Sequence, residues 1–167
     1  MPGDALPVAV DAMGGDRAPA EIVAGAVRAV RGGVPVVLVG DERALRPLVP
    51  RRNAPEIVHA PDVVGMGDGA VAAVRRSERS SVRVAMRLVR DGRASAVVSC
   101  GNTGAVLVAA VFDLGVVDGV ERPAIATVLP RADGGRLILL DAGANVDCRP
   151  EQLVCFAHLG VAYAEVI

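Results

Sequence analysis

Hydrophobic residues fall along this chain in two alternating arrangements: short runs of Val, Ile and Leu, then longer stretches whose apolar positions recur every three or four residues. The first kind suits strands buried on both faces and the second suits helices that cover them. The pattern therefore predicts a mostly parallel sheet between two helical layers. Residues 7–10 read as the first strand and 11–16 as its turn. Pro19 stands near the start of a helix striped by Ile22, Val23, Ala26, Val27 and Val30, which Gly32-Gly33 stops after Arg31. A second strand over 35–39, a short helix over 42–48 and a third strand over 56–59 follow. Beyond the glycine-rich loop 61–69, helices are expected over 70–76 and 80–90, the latter capped by Ser80-Ser81. A fourth strand over 94–99 then leads into a helix over 103–114.

Two further strands, 124–129 and 136–140, break the alternation. Pro130-Arg131-Ala132-Asp133-Gly134-Gly135 between them is too short for a crossover helix and contains Asp-Gly, so an antiparallel hairpin is expected. Pro150 opens a last helix, apolar nearly all round at Leu153, Val154, Phe156, Ala157, Val161, Ala162 and Val166. Such a helix ordinarily lies beneath further structure. The expectation is one α/β domain over residues 1–167, a three-layer α/β/α arrangement with a mostly parallel sheet plus an antiparallel hairpin, forming the first part of something longer.

Three of the predicted strand ends carry polar, glycine-containing turns. They are Asp11-Ala12-Met13-Gly14-Gly15-Asp16, Cys100-Gly101-Asn102-Thr103-Gly104-Ala105 and Asp141-Ala142-Gly143-Ala144-Asn145-Val146-Asp147. Ligands of α/β sheets bind beyond the carboxyl ends of the strands, so a common crevice is expected to unite the three. The middle turn opens directly into a helix, with Thr103 as the expected N-cap and Gly101 and Gly104 allowing close approach. Free N–H groups at the positive end of a helix dipole favour an anion, phosphate above all. Each Asp or Asn taken singly reads first as a turn or capping residue. Their recurrence on one sheet edge is what points to a site.

Composition narrows the chemistry. A chain of 167 residues with 52% hydrophobic and 22% charged residues is not disordered. Phe112, Phe156 and Tyr163 are its only aromatics, too few to stack bases, and a net charge of −1 attracts no polyanion, so no nucleic-acid partner is expected. All 18 basic residues are arginine, which excludes a Schiff-base or P-loop lysine. Cys100, Cys148 and Cys155 are odd in number and unpaired in spacing, consistent with a reducing cytoplasm. With His158 the last two match no zinc pattern, and no metal site is expected. Residues 1–6 are polar and proline-bearing, so no signal peptide is expected, and every apolar stretch is interrupted well short of a membrane span.

Taken together, Val10-Asp11-Ala12-Met13-Gly14-Gly15-Asp16 with Pro19, Ser99 to Ala105, Glu121-Arg122-Pro123-Ala124 and Leu140 to Cys148 resemble the bacterial phosphate acyltransferases of phospholipid synthesis. The resemblance runs in order from Leu6 to Ile167. It implies an enzyme that makes acyl phosphate from acyl-carrier-protein thioester and inorganic phosphate, on a fold like those of phosphotransacetylase and isopropylmalate dehydrogenase. It further implies a cytoplasmic homodimer, peripheral membrane association of the full-length protein, no cofactor, and a chain about twice this length.

On that resemblance the N–H groups of Asn102, Thr103 and Gly104, with the Asn102 and Thr103 side chains, are expected to cradle phosphate or an oxyanion. Gly101 permits the approach and Asn145 adds a donor, while Asp16 and Asp141 orient donors. Arg76, beside Arg75 and Arg79, neutralises phosphate or faces the acidic carrier protein; a solvated helix face explains it as well. Two positions depart from the family: Cys100 replaces a small residue, and the loop at 64–69 is richer in glycine than the usual acidic version. Cys100 beside a helix start is a conceivable nucleophile, although the chemistry does not need one and no His is near in sequence. The alternative is an α/β fragment that holds phosphate or a nucleotide without chemistry. Against it, Gly14-Gly15 lacks the third glycine of a dinucleotide fingerprint, and only Asp41 ends the second strand with an acid.

Overall fold

The computed structural model describes residues 5–167, so the leader reading at residues 1–6 lies largely outside the described residues. The chain divides into two compact units, one ending at Gly115 and the other spanning Val116–Ile167.

In the first unit, β1 (Val8–Asp11), β2 (Val36–Gly40), β3 (Glu56–His59) and β4 (Ala96–Val98) form a parallel sheet in the order β3-β2-β1-β4. The apolar runs of β1 and β2 are needed because both faces are covered. On one face Ala9, Val37 and Val39 pack with Ala85 and Leu88 of α4 (Ser81–Arg90). On the other, Val10, Val36 and Leu38 pack with Val23 and Ala26 of α1 (Ala20–Arg31) and Leu45 of α2 (Glu42–Leu45). Two more helices, α3 (Ala70–Arg76) and α5 (Thr103–Asp113), join α4 through Ala73, Val74, Val82, Met86, Ala105 and Ala109. This is the expected layered α/β arrangement. Its consequence for the site is that β1 and β4 are parallel neighbours in register Val8↔Ala96 to Val10↔Val98, so their two turns emerge side by side.

Several boundaries shift for identifiable reasons. The helix expected over 42–48 ends at Leu45, and Arg46–Leu48 continues as a 3-10 turn, since Pro47 offers no N–H to an α-helical ladder. Ser80 occupies the N-cap position of α4, yet its side chain makes no capping bond, and among the described residues its buried hydroxyl has no hydrogen-bond partner. The cap of α5 is Asn102 rather than Thr103: the Asn102 Oδ1 accepts the Ala105 N–H at 3.0 Å. Residues 124–126 do not join the hairpin. The Ile125 N–H donates to the Asp141 carboxylate at 2.7 Å, and the Ile125 carbonyl accepts from the Ala142 N–H.

The second unit holds the antiparallel hairpin, β5 (Thr127–Pro130) with β6 (Arg136–Leu139), paired Thr127↔Leu139 to Pro130↔Arg136. Gly134 takes φ 82° in the connecting turn, where the Asp-Gly signal was read. Among the described residues the hairpin is a two-stranded sheet of its own. The last helix, α6 (Pro150–Val166), buries Phe156 but leaves Leu153, Val154 and Val161 more than half exposed. No helix among the described residues is long and apolar enough to cross a membrane.

Candidate active site

The β1 and β4 turns meet through hydrogen bonding and through glycine. Asp11, the last residue of β1, is buried to 3% exposure. Its Oδ1 accepts the Met13 N–H at 3.2 Å, and its Oδ2 accepts the Ser99 hydroxyl at 2.7 Å. The Ser99 Oγ in turn accepts the Gly101 N–H at 3.1 Å. Gly14 and Gly101 lie backbone against backbone: a Cβ on Gly14 would sit 3.0 Å from the Gly101 Cα. Gly15, at φ 117°, lies against Cys100 in the same way. Behind this junction is a polar recess of about 10 Å³ lined by Asp11, Ser81, Ser99, Gly101 and Asn102, room for about one water molecule.

The Asn102 side chain is engaged at both ends. While its oxygen caps α5, its Nδ2 donates toward the carbonyls of Gly65, Met66 and Asp68 at 3.4, 3.1 and 3.1 Å. The loop it clasps is also tied by the Asp68 carboxylate, which accepts the Gly65 N–H at 2.8 Å. Gly104 packs against Ala70 at the start of α3, where an added Cβ would lie 3.2 Å from the Ala70 Cβ. Thr103 and Gly104 are exposed. Among the described residues, the N–H groups of Asn102, Thr103 and Gly104 have no hydrogen-bond partner, whereas those of Ala105 and Val106 do. Such a helix start, with three unspent donors at the positive end of the dipole, suits a tetrahedral anion.

The remaining expected residues are more dispersed. Asp16 is exposed further along the β1 turn. Arg76 is exposed at the last position of α3, about 9 Å of helix rise from Ala70. Its neighbour Arg75 lies 5.6 Å from the centre of the Phe112 ring, a cation–π contact. Asp141 and Asn145 belong to the second unit and form a closed motif there. The Asp141 carboxylate accepts the N–H of Ile125 at 2.7 Å and of Asn145 at 2.6 Å, and the Asn145 Nδ2 donates to the Pro123 carbonyl at 3.1 Å. Burial works to raise the Asp141 pKa, but donors from Ile125, Asn145 and Ala144 outweigh it and hold the carboxyl below its usual value. The three turns therefore do not share one sheet: two end the parallel sheet, and the third follows a hairpin that forms its own. Among the described residues no cluster of His, Cys, Asp or Glu could hold a metal ion.

Sequence reasoning noted Asp11 as an acceptor but missed its link to Ser99, and it missed the clasp from Asn102 to loop 65–68. The paired glycines, Gly14 and Gly101, were the available signal for close contact between the turns.

A family model described as "Fatty acid synthesis protein" matches residues 6–167. Curated relatives include a phosphate acyltransferase of Anaeromyxobacter sp. (strain Fw109-5), 53% identical over 98% of this chain and 47% of its own length. Those of Thermobifida fusca and Thermus thermophilus are 56% and 54% identical over 95% of this chain, and 45% and 48% of their own lengths. The chain thus spans about half the length of the curated relatives it matches.

Proposed function

The chain belongs to the fatty acid synthesis protein family, and on that premise we propose that it carries one wall of an acyl-phosphate-forming site. The substrates in this reading are an acyl-carrier-protein thioester and inorganic phosphate. A phosphate oxygen attacks the thioester carbonyl carbon, and the carbonyl electrons move onto oxygen. Collapse of that oxyanion breaks the C–S bond; the sulfur leaves with the electron pair and takes up a proton, and acyl phosphate remains. Phosphate dianion is a competent nucleophile near neutral pH, so no covalent enzyme intermediate is required and Cys100 needs no role. The protein's task is positioning and oxyanion stabilisation.

The observation that carries this reading is the start of α5, where the N–H groups of Asn102, Thr103 and Gly104 are unspent. The Asn102 side chain serves as the cap and loop clasp that shape the cradle, Thr103 presents an exposed hydroxyl, and Gly101 and Gly104 keep the approach narrow. Arg76 adds positive charge from α3. Asp16 orients donors at the β1 turn, whereas Asn145 spends its N–H and its Nδ2 within the second unit, on Asp141 and the Pro123 carbonyl. The complete enzyme is about twice this length, with this chain its amino-terminal half, and works as a cytoplasmic homodimer at the membrane periphery. The half-exposed Leu153, Val154 and Val161 of α6 support further polypeptide packing there.

The test is acyl-phosphate formation, trapped as the hydroxamate, by this chain joined to the second half of the Thermobifida fusca relative. Asn102→Ala, which removes the cap and the loop clasp that hold the backbone cradle in place, is expected to reduce turnover by about 10²-fold, the order of one misplaced oxyanion donor. Near-unchanged turnover sinks the assignment of this turn.

A further inference from the structure

Asp11 is buried at the end of β1, yet among the described residues it pairs with no cationic side chain. Its partners are an N–H and a hydroxyl. A carboxylate only accepts, so the single Ser99 hydrogen must point to Asp11, and the Ser99 lone pairs are left to accept from Gly101. The direction of the relay, from peptide N–H to hydroxyl to carboxylate, is fixed by this count. It is also confined sterically. A Cβ on Gly14 would approach the Asp11 Oδ2 to 2.5 Å, and a Cβ on Gly101 would lie 3.2 Å from both the Gly14 Cα and the Ser99 Oγ. A burial this costly needs a return, and besides the Met13 N–H of its own turn the carboxylate reaches, among the described residues, the peptide that leads into α5.

We propose that Asp11 is a positioning residue for acyl transfer to phosphate. Through Ser99 it holds the Gly101 N–H inward, and the next three N–H groups, of Asn102, Thr103 and Gly104, are thereby left for the anion. The inference rests on the phosphate reading of this site. A residue that merely stabilised the sheet would alter stability without selectively altering the Gly101 amide and phosphate affinity.

The experiment uses the chain joined to the second half of the Thermobifida fusca relative, the same full-length enzyme in which acyl-phosphate formation is measured. Exchange of the Gly101 amide is followed by NMR, and inorganic phosphate is titrated by ³¹P NMR, with the amides of α1 and α4 reporting that the sheet is intact. Ser99→Ala is expected to speed Gly101 exchange and weaken phosphate binding, each about tenfold. Ser99→Thr, which keeps the hydroxyl, restores both. Asp11→Ala is expected to match Ser99→Ala, and Ser99→Ala alone decides the matter if Asp11→Ala does not fold. Phosphate binding unchanged in Ser99→Ala, or no rescue by Thr, overturns the inference while leaving the phosphate reading in place. A wild-type chain that binds no phosphate overturns both.

Discussion

Replacing Asn102 by Ala removes two different supports from the candidate site, and they can be separated. The first is the N-cap bond to the Ala105 N–H, whose loss ordinarily costs about 1 kcal/mol. The second is the amide clasp on loop 65–68. Three carbonyls lie within reach of Nδ2, but an amide carries two hydrogens, so at most two bonds form at once. These bonds are partly solvated, and together they are worth about 1 kcal/mol. The expected loss for Asn102→Ala is therefore about 2 kcal/mol, a shift of about 1 M in the urea midpoint of the first unit. Asn102→Asp keeps an oxygen for the cap, and its charge suits the helix start, so it should lose only about 1 kcal/mol while releasing the loop. Thr103→Ala should fall within about 0.5 kcal/mol of wild type, since Thr103 is exposed and is not the cap. Hydrogen exchange at Gly65, Gly67 and Gly69 should accelerate in both Asn102 variants and not in Thr103→Ala. An Asn102→Ala protein within about 0.5 kcal/mol of wild type, or a Thr103→Ala protein equally destabilised, would refute the reasoning.

Two further outcomes follow from the same geometry. Gly14→Ala places a Cβ 2.5 Å from the Asp11 Oδ2 and 3.0 Å from the Gly101 backbone. It should cost about 1–3 kcal/mol in urea denaturation. Gly67→Ala, with nothing within 4 Å of its Cβ, should be near neutral. Asp141 is held below its usual pKa by its N–H donors, so its contribution is present above the unfolded carboxyl pKa and disappears as pH falls through the lower folded value. Acid titration of the second unit should therefore show a decline beginning below about pH 4, shallower in Asp141→Asn. An identical acid profile in the variant would remove Asp141 from the account.

Much of the fold was legible because each element depends on local chemistry. The third strand and α3 fall at the expected residues, since Glu56–His59 and Ala70–Arg76 are bounded by proline, glycine and serine. The hairpin was legible from one dipeptide, Asp133-Gly134. Boundaries failed where a partner distant in sequence took over a backbone group. The Ile125 N–H goes to Asp141 rather than to the hairpin ladder, and Ser99, at the end of the apolar run, turns to Asp11 and Gly101 while β4 stops at Val98. Neither competition leaves a mark in the local pattern.

The candidate site was legible as a set of turns but not as an arrangement, because sheet order and side-chain commitment are both non-local. A glycine-rich turn after each of two strands says nothing about whether those strands are neighbours. Only the order β3-β2-β1-β4 places Gly14 on Gly101, and the same pairing brings Asp11 to Ser99. Side-chain roles are reshaped by this contact. Asn102 looks in sequence like a ligand donor, yet its amide satisfies the carbonyls of a loop more than thirty residues away in sequence. What is left for a ligand is backbone. Backbone donors at a helix start tolerate changes in side chain so long as the turn is held, which is consistent with an exposed Cys at position 100 beside an otherwise tightly fitted junction. Selection on such a cradle should then act on the groups that hold the turn, Asp11, Gly14, Ser99, Gly101 and Asn102, more strongly than on the exposed side chains that surround it.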